Sequence, residues 1–398
     1  MAFTVSNIIY KSNGDLIGWG NNEYGQLGIN NKPGTNVIDV PTLIMQDKDI
    51  IQIACGGYHT IIYKSNGDVI GFGRNDYNQL GIELSTIKYI PKLIINDTNI
   101  KKIYCGGYFT ILYKYNGDFL YMGPIAVFNT YTTKPLLLFN DKEIKKIVCG
   151  GYNFIIYKNN GQVINYTHYS VHSSANIYTP FILTTDMNIK TIKCREHCTL
   201  LYKNNGELYE FNNSSASLLN TEPRLNNYVL VMHNLNIDKI LPGGNHTIIK
   251  NNNNYLSFGK NNYGQLGLGH HGDAYTHIPT FLITCDDIIK IIPGYYHNII
   301  YKNNGDLFGF GNNNYKQLGI NKNCINKPTF LMNEPDIILI NGKKINIKWN
   351  KQLFNKLNIK IKQQILTFMM VKHIYNKLYG IYIVPYMRDC IINLFINK

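Results

Sequence analysis

The chain has 398 residues, of which 44% are hydrophobic, so the composition supports a sizeable core and excludes wholesale disorder. The formal net charge is +14, yet the lysines are spread along the chain without a basic block, which argues against direct nucleic-acid binding. No stretch approaches the roughly 20 apolar residues that a membrane span needs. Residues 1–10 lack a signal-peptide pattern and the eight cysteines form no secreted disulfide framework, so we expect an intracellular protein of the cytoplasm or nucleus.

Four residue types, Tyr, Asn, Ile and Lys, recur in every part of the chain, and the 31 tyrosines outnumber the 17 phenylalanines. This bias indicates A+T-rich codons, of the kind used by some giant viruses and protists. Because such codons also encode lysine, the basic charge has an explanation that involves no function.

A glycine-rich motif recurs along the chain. Residues 13–28 read NGDLIGWGNNEYGQLG, and close copies begin at Asn66, Asn252 and Asn304. In the third of these copies Asn253 stands at the position of the turn glycine. Three weaker copies keep only the turn, which gives seven turns centred at residues 14, 67, 117, 161, 206, 253 and 305. Their spacing of 44–53 residues is typical of a solenoid, a propeller or an array.

Each repeat period predicts four short strands. In chain order, YHTIIYK (58–64) alternates, Asn66-Gly67 is a hairpin signal, and DVIGFG (68–73) returns as a second strand. PKLII (91–95) and IKKIYC (100–105) supply two more. Four strands make one blade-like sheet, and the repeats show no long 3.6-residue periodicity of a helical solenoid.

The ends of the repeat region predict a closed ring. The first hairpin lacks a preceding segment of the IIQIACGG type (50–57), but a spare segment, DIILING, follows the seventh hairpin at 336–342. We expect it to pair beside residues 3–11, so that one blade is built from both ends of the region. Such closure leaves no sheet edge unpaired between the first and last blades.

The stretch CGGYHTIIYKSNGDVIGFGRNDYNQLG (55–81) resembles the repeat of the regulator of chromosome condensation family. The resemblance extends over about residues 1–342 and implies an all-β, seven-bladed β-propeller. Members of this family act as guanine-nucleotide exchange factors, as chromatin binders, or as interaction modules beside ubiquitin-ligase domains. No catalytic, cofactor-binding or metal-binding residue is carried over, because the exchange-active loop positions do not map through a blade repeat.

The repeat signature is intact in four copies, at residues 18–28, 71–81, 257–267 and 309–319. An isolated Gly-x-Gly suggests a phosphate loop, but here no third glycine and helix follow, and four copies would mean four nucleotide sites. We therefore interpret the glycines as permitting close backbone approach, the leucines as inserting between blades, and the glutamines as bonding loop backbone. The signature residues are Gly18, Gly20, Gln26, Leu27, Gly28, Gly71, Gly73, Gln79, Leu80, Gly81, Gly259, Gln265, Leu266, Gly267, Gly309, Gly311, Gln317, Leu318 and Gly319.

The third to fifth copies lose this signature, and the third reads YMGPIAVFNTY at 121–131. We expect altered loops in these blades. Our hypothesis is that they carry the most divergent recognition surface.

Cysteine and histidine residues follow the repeat. Four cysteines hold one repeat position, and separate blades cannot bring them into one four-thiolate zinc cage; they are Cys55, Cys105, Cys149 and Cys194. CREHC (194–198) is the best metal candidate through Cys194, His197 and Cys198, but two of these occupy repeat positions and we predict no metal site. His59, His246 and His297 share one position, which predicts packing and hydrogen bonding within each blade. His270 and His271 lie in a loop that is either solvated or touches a partner.

After residue 342 the pattern becomes helical, which predicts a tail domain over 343–398. Residues 348–380 carry one apolar stripe, Gly380 ends that helix, and Pro385 begins another. The stripe consists of Leu357, Ile361, Ile365, Phe368, Val371, Tyr375 and Leu378. The tail loosely resembles an F-box-like segment, which implies docking onto a ubiquitin-ligase scaffold. A helical cap on the propeller rim and a basic helix on a membrane surface are the alternatives.

These observations predict a non-catalytic protein-interaction module that binds a protein partner through its loop faces, without a cofactor. Two alternatives remain open: a guanine-nucleotide exchange factor for a small GTPase, and a ubiquitin-ligase substrate adaptor that acts through the C-terminal helices.

Overall fold

The computed structural model describes the greater part of residues 4–345. The described ranges are 4–30, 36–82, 87–124, 134–167, 180–212, 228–233, 236–284 and 286–345. The described residues contain no helix. Their 29 β-strands form seven antiparallel sheets. The predicted all-β, seven-bladed propeller is thus confirmed. The predicted helical tail lies, from residue 346 onward, outside the described residues.

Blade 1 combines both ends of the repeat region, in the order β29-β28-β1-β2-β3. Its strands are β1 (Ser6–Lys11), β2 (Asp15–Asn21), β3 (Val37–Gln46), β28 (Ile337–Ile340) and β29 (Lys343–Lys344). Within it Ile340 pairs with Ile9 and Leu339 with Tyr10. The predicted ring closure beside residues 3–11 is confirmed.

Blades 2 to 7 each contain four strands in chain order or its reverse. Blade 2 comprises β4 (Ile50–Cys55), β5 (His59–Lys64), β6 (Asp68–Arg74) and β7 (Ile87–Asn96). Blade 3 comprises β8 (Ile100–Cys105), β9 (Thr110–Lys114), β10 (Asp118–Met122) and β11 (Leu136–Asn140). Blade 4 comprises β12 (Ile144–Cys149), β13 (Asn153–Lys158), β14 (Val163–Thr167) and β15 (Phe181–Thr184).

The remaining blades follow the same plan. Blade 5 comprises β16 (Ile189–Cys194), β17 (Cys198–Lys203), β18 (Leu208–Asn212) and β19 (Tyr228–Met232). Blade 6 comprises β20 (Lys239–Pro242), β21 (His246–Asn251), β22 (Asn254–Asn261) and β23 (Gly272–Thr284). Blade 7 comprises β24 (Ile288–Pro293), β25 (His297–Lys302), β26 (Asp306–Asn312) and β27 (Cys324–Asn333).

The Asn-Gly hairpins have longer turns than the sequence signal indicates. In blade 2 the Gly67 amide donates to the Lys64 carbonyl at 3.1 Å, and the Asn66 side chain accepts from the Asp68 amide at 3.0 Å. Six turn glycines have φ between 87° and 96°. Blade 6 is the exception, because Asn251 pairs directly with Asn254. The left-handed residue of this two-residue turn is Asn252, with φ of 54°, and not Asn253 as the alignment of the repeats placed it.

The blades surround a common axis. The first strands of neighbouring blades, from β4 to β24, contact one another in succession, and these inner strands together with β28 enclose the central channel. The outermost strands expose large apolar side chains such as Val40 and Ile90. The Asn-Gly turns lie at one end of the blades, the hairpin face. The turns that follow the inner strands and the Gln-Leu-Gly turns lie at the other end, the loop face.

Candidate functional site

The Gln-Leu-Gly turns of the four intact repeats, in blades 1, 2, 6 and 7, each bond to the next blade. All four signature leucines are completely buried: Leu27, Leu80, Leu266 and Leu318. Leu27 belongs to a cluster that includes Ile8 of blade 1 and Ile50 and Phe72 of blade 2. Leu80 lies in the next cluster, between Ile61 of blade 2 and Leu112 of blade 3. Leu27 and Leu80 therefore each fill a space that two blades share.

The signature glutamines form hydrogen bonds both within their own turn and to the next blade. The Gln26 side-chain oxygen accepts from the Tyr24 amide at 3.0 Å, which closes the turn on itself. The Gln26 main-chain carbonyl accepts from the Thr60 hydroxyl of blade 2 at 2.8 Å. The Gln79 carbonyl accepts from Thr110 of blade 3 at 2.9 Å in the same way. The glutamine thus shapes its own turn while its backbone bonds to the next blade.

The signature glycines face protein atoms at close range. Gly73 has φ of 110°, and a Cβ atom there would lie 2.5 Å from the Tyr58 carbonyl oxygen. Gly28 has φ of 66° and would place a Cβ atom 3.1 Å from the Phe72 ring. A Cβ atom at Gly71 would lie 3.1 Å from the Leu80 side chain. Close packing and left-handed backbone account for these glycines without a phosphate ligand.

A buried asparagine supports each of these turns, and the sequence analysis missed it. The Asn22 side chain accepts from the Leu27 amide at 2.8 Å, and Asn75 accepts from the Leu80 amide at 2.9 Å. Asn261 and Asn313 take the same role, at 3.0 and 2.7 Å. The signal was present, because an asparagine stands five residues before the leucine in all four intact copies.

The repeated histidines bond between blades and not, as the sequence predicts, within them. His59 Nε2 lies 2.8 Å from the Thr110 hydroxyl of blade 3, and His246 Nε2 lies 2.8 Å from the Asn298 Oδ1 of blade 7. His297 Nε2 lies 3.2 Å from Asn7 Oδ1 of blade 1. Burial lowers the pKa of His59 and His297 to about 3, and that of His246 to about 4. All three imidazoles are therefore neutral near pH 7.

The cysteines of the inner strands are buried in separate blades. Burial raises the pKa of Cys55, Cys105 and Cys194 to about 12, so these thiols stay protonated. Throughout the part of the chain that the structure describes, no group of three His, Cys, Asp or Glu side chains is placed to hold a metal ion.

The CREHC segment separates its candidate ligands. Cys194 lies in the core of blades 4 and 5, whereas burial raises the pKa of Cys198 to about 12 beside Arg195 and Glu210. The His197 ring is exposed and stacks on Tyr152, with ring centroids 5.2 Å apart. His270 and His271 are exposed, and the His270 carbonyl accepts from the Asn261 side chain at 3.0 Å.

A belt of backbone hydrogen bonds surrounds the mouth of the channel on the loop face. The Gly57 amide donates to the Gly107 carbonyl at 3.2 Å, and the Gly107 amide donates to Gly151 at 3.0 Å. The belt continues through Glu196, Gly244 and Tyr295 to Thr4, with each bond between 3.0 and 3.2 Å. Residues that directly follow the belt are therefore held in fixed positions around the axis.

Five tyrosines and one arginine form a cluster on the loop face of blades 1 to 4, which we call the aromatic face: Tyr24, Tyr58, Tyr77, Tyr108, Tyr152 and Arg74. The Arg74 guanidinium carbon lies 4.7 Å from the ring centroid of Tyr24 and 4.9 Å from that of Tyr77. It lies 5.7 Å and 5.6 Å from those of Tyr58 and Tyr108. All six side chains are half-buried, so each keeps surface accessible to a partner.

The aromatic face is also fixed from within. Arg74 Nε and Nη2 each donate to the Asp76 carboxylate at 2.7 Å. Burial and the neighbouring tyrosines raise the pKa of Tyr58, and burial together with the hydrogen bond to Tyr152 raises that of Tyr108. The phenols of Tyr58 and Tyr108 are therefore neutral hydrogen-bonding groups. Codon bias does not account for the positions of these tyrosines, because Tyr follows the Gly-Gly pair and precedes the Gln-Leu-Gly turn in several repeats.

The loops that the sequence analysis singled out in the third to fifth blades fall largely outside the described residues, at 125–133, 168–179 and 213–227. The hypothesis that they carry the most divergent recognition surface stays a prediction. Among the described residues, no helix is long and apolar enough to cross a membrane.

Fold and inter-blade turns together define a seven-bladed β-propeller of the regulator of chromosome condensation type. The family model described as the regulator of chromosome condensation (RCC1) repeat matches residues 13–63, 66–113, 254–301 and 304–341. A second model of the same repeat matches residues 50–79. These residues of the chain are thus RCC1-type repeats.

Known proteins share either the fold of this chain or a part of its repeat region. Prp20p from Saccharomyces cerevisiae is similar with a TM-score of 0.66 and 17% sequence identity, over 82% of this chain and 88% of that one. Human WBSCR16 is similar with a TM-score of 0.63 and 18% identity, over 80% and 94% of the two chains. The human protein HERC4, a probable E3 ubiquitin-protein ligase, is 36% identical over 77 residues, which are 19% of this chain and only 7% of that relative.

Proposed function

We propose that this propeller is a non-catalytic interaction module that binds a protein partner through the aromatic face. The observation that supports this most is the enclosure of Arg74 by four tyrosine rings at 4.7–5.7 Å. Tyrosine and arginine are enriched among the residues that dominate binding energy at protein interfaces. A cluster of both on one half-buried surface is therefore a suitable anchor for a partner.

The rigidity of the aromatic face also supports this proposal. Tyr58, Tyr108 and Tyr152 directly follow the glycines of the backbone belt, so their positions are set before a partner arrives. Tyr108 and Tyr152 stack with ring centroids 5.0 Å apart, and their hydroxyls lie 3.3 Å apart. A preorganised surface loses little conformational entropy on binding, which favours affinity.

The test is affinity purification of the full-length protein from its native cell, with Arg74→Ala and Tyr77→Ala as variants. We expect either change to weaken retention of the main partner by about 30-fold or more, as truncation of an interface anchor does. Tyr115→Ala is the matched control, because Tyr115 is 68% exposed next to the turn of blade 3 on the opposite, hairpin face. Retention of every partner by both aromatic-face variants would refute the proposal.

Guanine-nucleotide exchange on a small GTPase is a second candidate. Prp20p was described together with its binding properties to Gsp1p and histones, and it shares this fold. An exchange factor works by stabilising the nucleotide-free GTPase and uses no catalytic side-chain chemistry. Nucleotide release measured across a panel of small GTPases tests it, and unchanged release rates on every member would count against exchange.

A third candidate is a substrate adaptor of a ubiquitin ligase, in which the propeller binds the substrate and the tail binds the scaffold. Besides the predicted tail helices, the 77-residue match to HERC4, a probable E3 ubiquitin-protein ligase, supports this role. A variant without residues 346–398 would then lose a ligase scaffold and keep its substrate, and retention of both would exclude this role.

The expected location in the cytoplasm or nucleus and the origin in a virus or protist stay predictions.

A further inference from the structure

Lysines recur on the inner strands that line the central channel. The third position of the inner strand is Lys102 in blade 3, Lys146 in blade 4 and Lys290 in blade 7. The fifth position is Lys193 in blade 5. Side chains at the third position reach the next inner strand: Lys146 Nζ donates to the Ile192 carbonyl at 3.0 Å.

A short returning strand adds another lysine to this channel. Asn341 and Gly342, with φ of 47° and 71°, form a two-residue turn from β28 into β29, and β29 pairs with the inner edge of β28. Gly342 packs so closely on blade 2 that a Cβ atom there would lie 2.1 Å from the Ile53 carbonyl oxygen. On the other side, the Lys290 ammonium donates to the Lys344 carbonyl. The strand that carries Lys343 is thus held between the inner strands of blades 7 and 2.

These channel lysines have no acidic partners among the described residues. On the second strands the same protein supplies a carboxylate at 2.7–3.2 Å to each of five lysines, namely Lys64, Lys114, Lys158, Lys203 and Lys302. No such ion pair forms within the described structure for Lys146, Lys193 or Lys343. Glu196, at the mouth of the channel, is engaged by the Asn245 side chain at 3.0 Å and by His197 at 3.7 Å.

Burial, and after it the repulsion between like charges in a confined space, lowers the pKa of four of these lysines, Lys146, Lys193, Lys290 and Lys343. Burial and the nearby Lys193 and Lys102 lower the pKa of Lys146 to about 8. Burial and the nearby Lys193 and Lys290 lower the pKa of Lys343 to about 8. At pH 7 the Lys146 and Lys343 ammonium groups are still mostly protonated, so the described residues of the channel carry positive charge that no carboxylate pairs with.

We propose that the central channel is a binding site for a small multivalent phosphate anion, held by Lys146, Lys193 and Lys343. The ammonium groups come from three separate blades, so one ligand with several phosphate oxygens can contact all of them. Because β29 lies on the inner edge of β28 and occupies part of the channel, the site suits a compact polyphosphate and not a nucleic-acid strand. The ligand would neutralise the charge that the fold leaves unpaired.

The experiment measures binding of inorganic tripolyphosphate and of inositol hexakisphosphate to the full-length protein by calorimetry, at constant ionic strength. The two probes distinguish a linear polyphosphate from a phosphorylated small molecule. We expect at least one to bind, and Lys193→Gln and Lys343→Gln each to weaken it by about tenfold or more. Lys92→Gln removes the same charge from the exposed strand β7 and should bind like the wild type.

A second measurement keeps the proposal testable if binding is weak. Without ligand, Lys193→Gln should unfold at a higher temperature than the wild type, because repulsion is relieved, whereas Lys92→Gln should not. Absence of binding by both probes, binding of only a single-stranded oligonucleotide, or equal binding by the Lys193→Gln and Lys92→Gln variants would overturn the proposal. None of these outcomes bears on the proposed function, because that function is tested with substitutions in the aromatic face and not in the channel.

Discussion

The Arg195 guanidinium forms an ion pair with the Glu210 carboxylate inside the propeller, where their side chains are 2% and 15% exposed. In blades 2, 3, 4, 6 and 7 glycine occupies the position of Arg195. The Tyr275 hydroxyl of blade 6 donates to Glu210 at 3.1 Å, and the guanidinium lies 5.7 Å from the Tyr275 ring centroid. Blade 5, which lost the repeat signature, is thus joined to blade 6 by a buried polar network.

Removal of one partner of this pair should destabilise the protein strongly. Glu210→Gln leaves the Arg195 charge buried without compensation, which costs about 3–5 kcal/mol of unfolding free energy. Urea denaturation measures the change. Asp186→Asn is the control, because the Asp186–Lys203 pair at 3.0 Å is about 30% exposed and should contribute under about 1 kcal/mol. Similar losses in both variants would show that Arg195 finds other compensation.

Truncation of a signature leucine should open a cavity between two blades. Leu27 is completely buried in the cluster shared by blades 1 and 2, so we expect Leu27→Ala to lower the unfolding free energy by about 2–5 kcal/mol. Leu43→Ala removes the same atoms from a side chain that is 55% exposed on β3 and should change it by about 0.5 kcal/mol or less. An unfolding midpoint for Leu27→Ala as high as that of Leu43→Ala would contradict insertion between blades.

The inter-blade histidines should make the protein sensitive to acid. Their pKa values of about 3 to 4 lie below the ordinary 6.5, so the unfolded state binds more protons than the folded state between these limits. Stability therefore rises with pH in this window and is lost as the pH falls below 6.5. Each histidine contributes a slope of about 1.4 kcal/mol per pH unit.

The test compares urea denaturation at pH 7, 6 and 5. His59→Gln removes one titrating group and should reduce the slope by about 1.4 kcal/mol per pH unit, whatever its stability at pH 7. Thr110→Val is the matched control: it removes the hydroxyl 2.8 Å from His59 Nε2 but leaves the imidazole, so it should keep the slope. A wild-type slope in His59→Gln would assign the acid sensitivity to other groups.

Local patterns predicted much of the fold. Turn chemistry and strand alternation act within a few residues, so the seven turns, the four-stranded blades and the closure through residues 336–342 were readable from the chain. The same locality explains the misplacements. The sequence pattern places Asn341-Gly342 at the end of a strand, but the left-handed backbone of these two residues turns the chain back into the channel. The repeated position of His59 was recognised, but its partner Thr110 lies 51 residues away.

The sequence by itself determined the repeat, the number of blades and the positions of the blade-joining turns, because each depends on chemistry inside one period. Only the tertiary structure decided which side chains of different blades come together. Tyr24, Tyr58, Tyr77 and Tyr108 come from three blades and meet around Arg74 only because the ring brings equivalent loops together. Likewise Lys146, Lys193 and Lys343 surround one channel because inner strands converge on the axis. Contacts between side chains of different blades depend on the geometry of the closed ring, which no single period encodes.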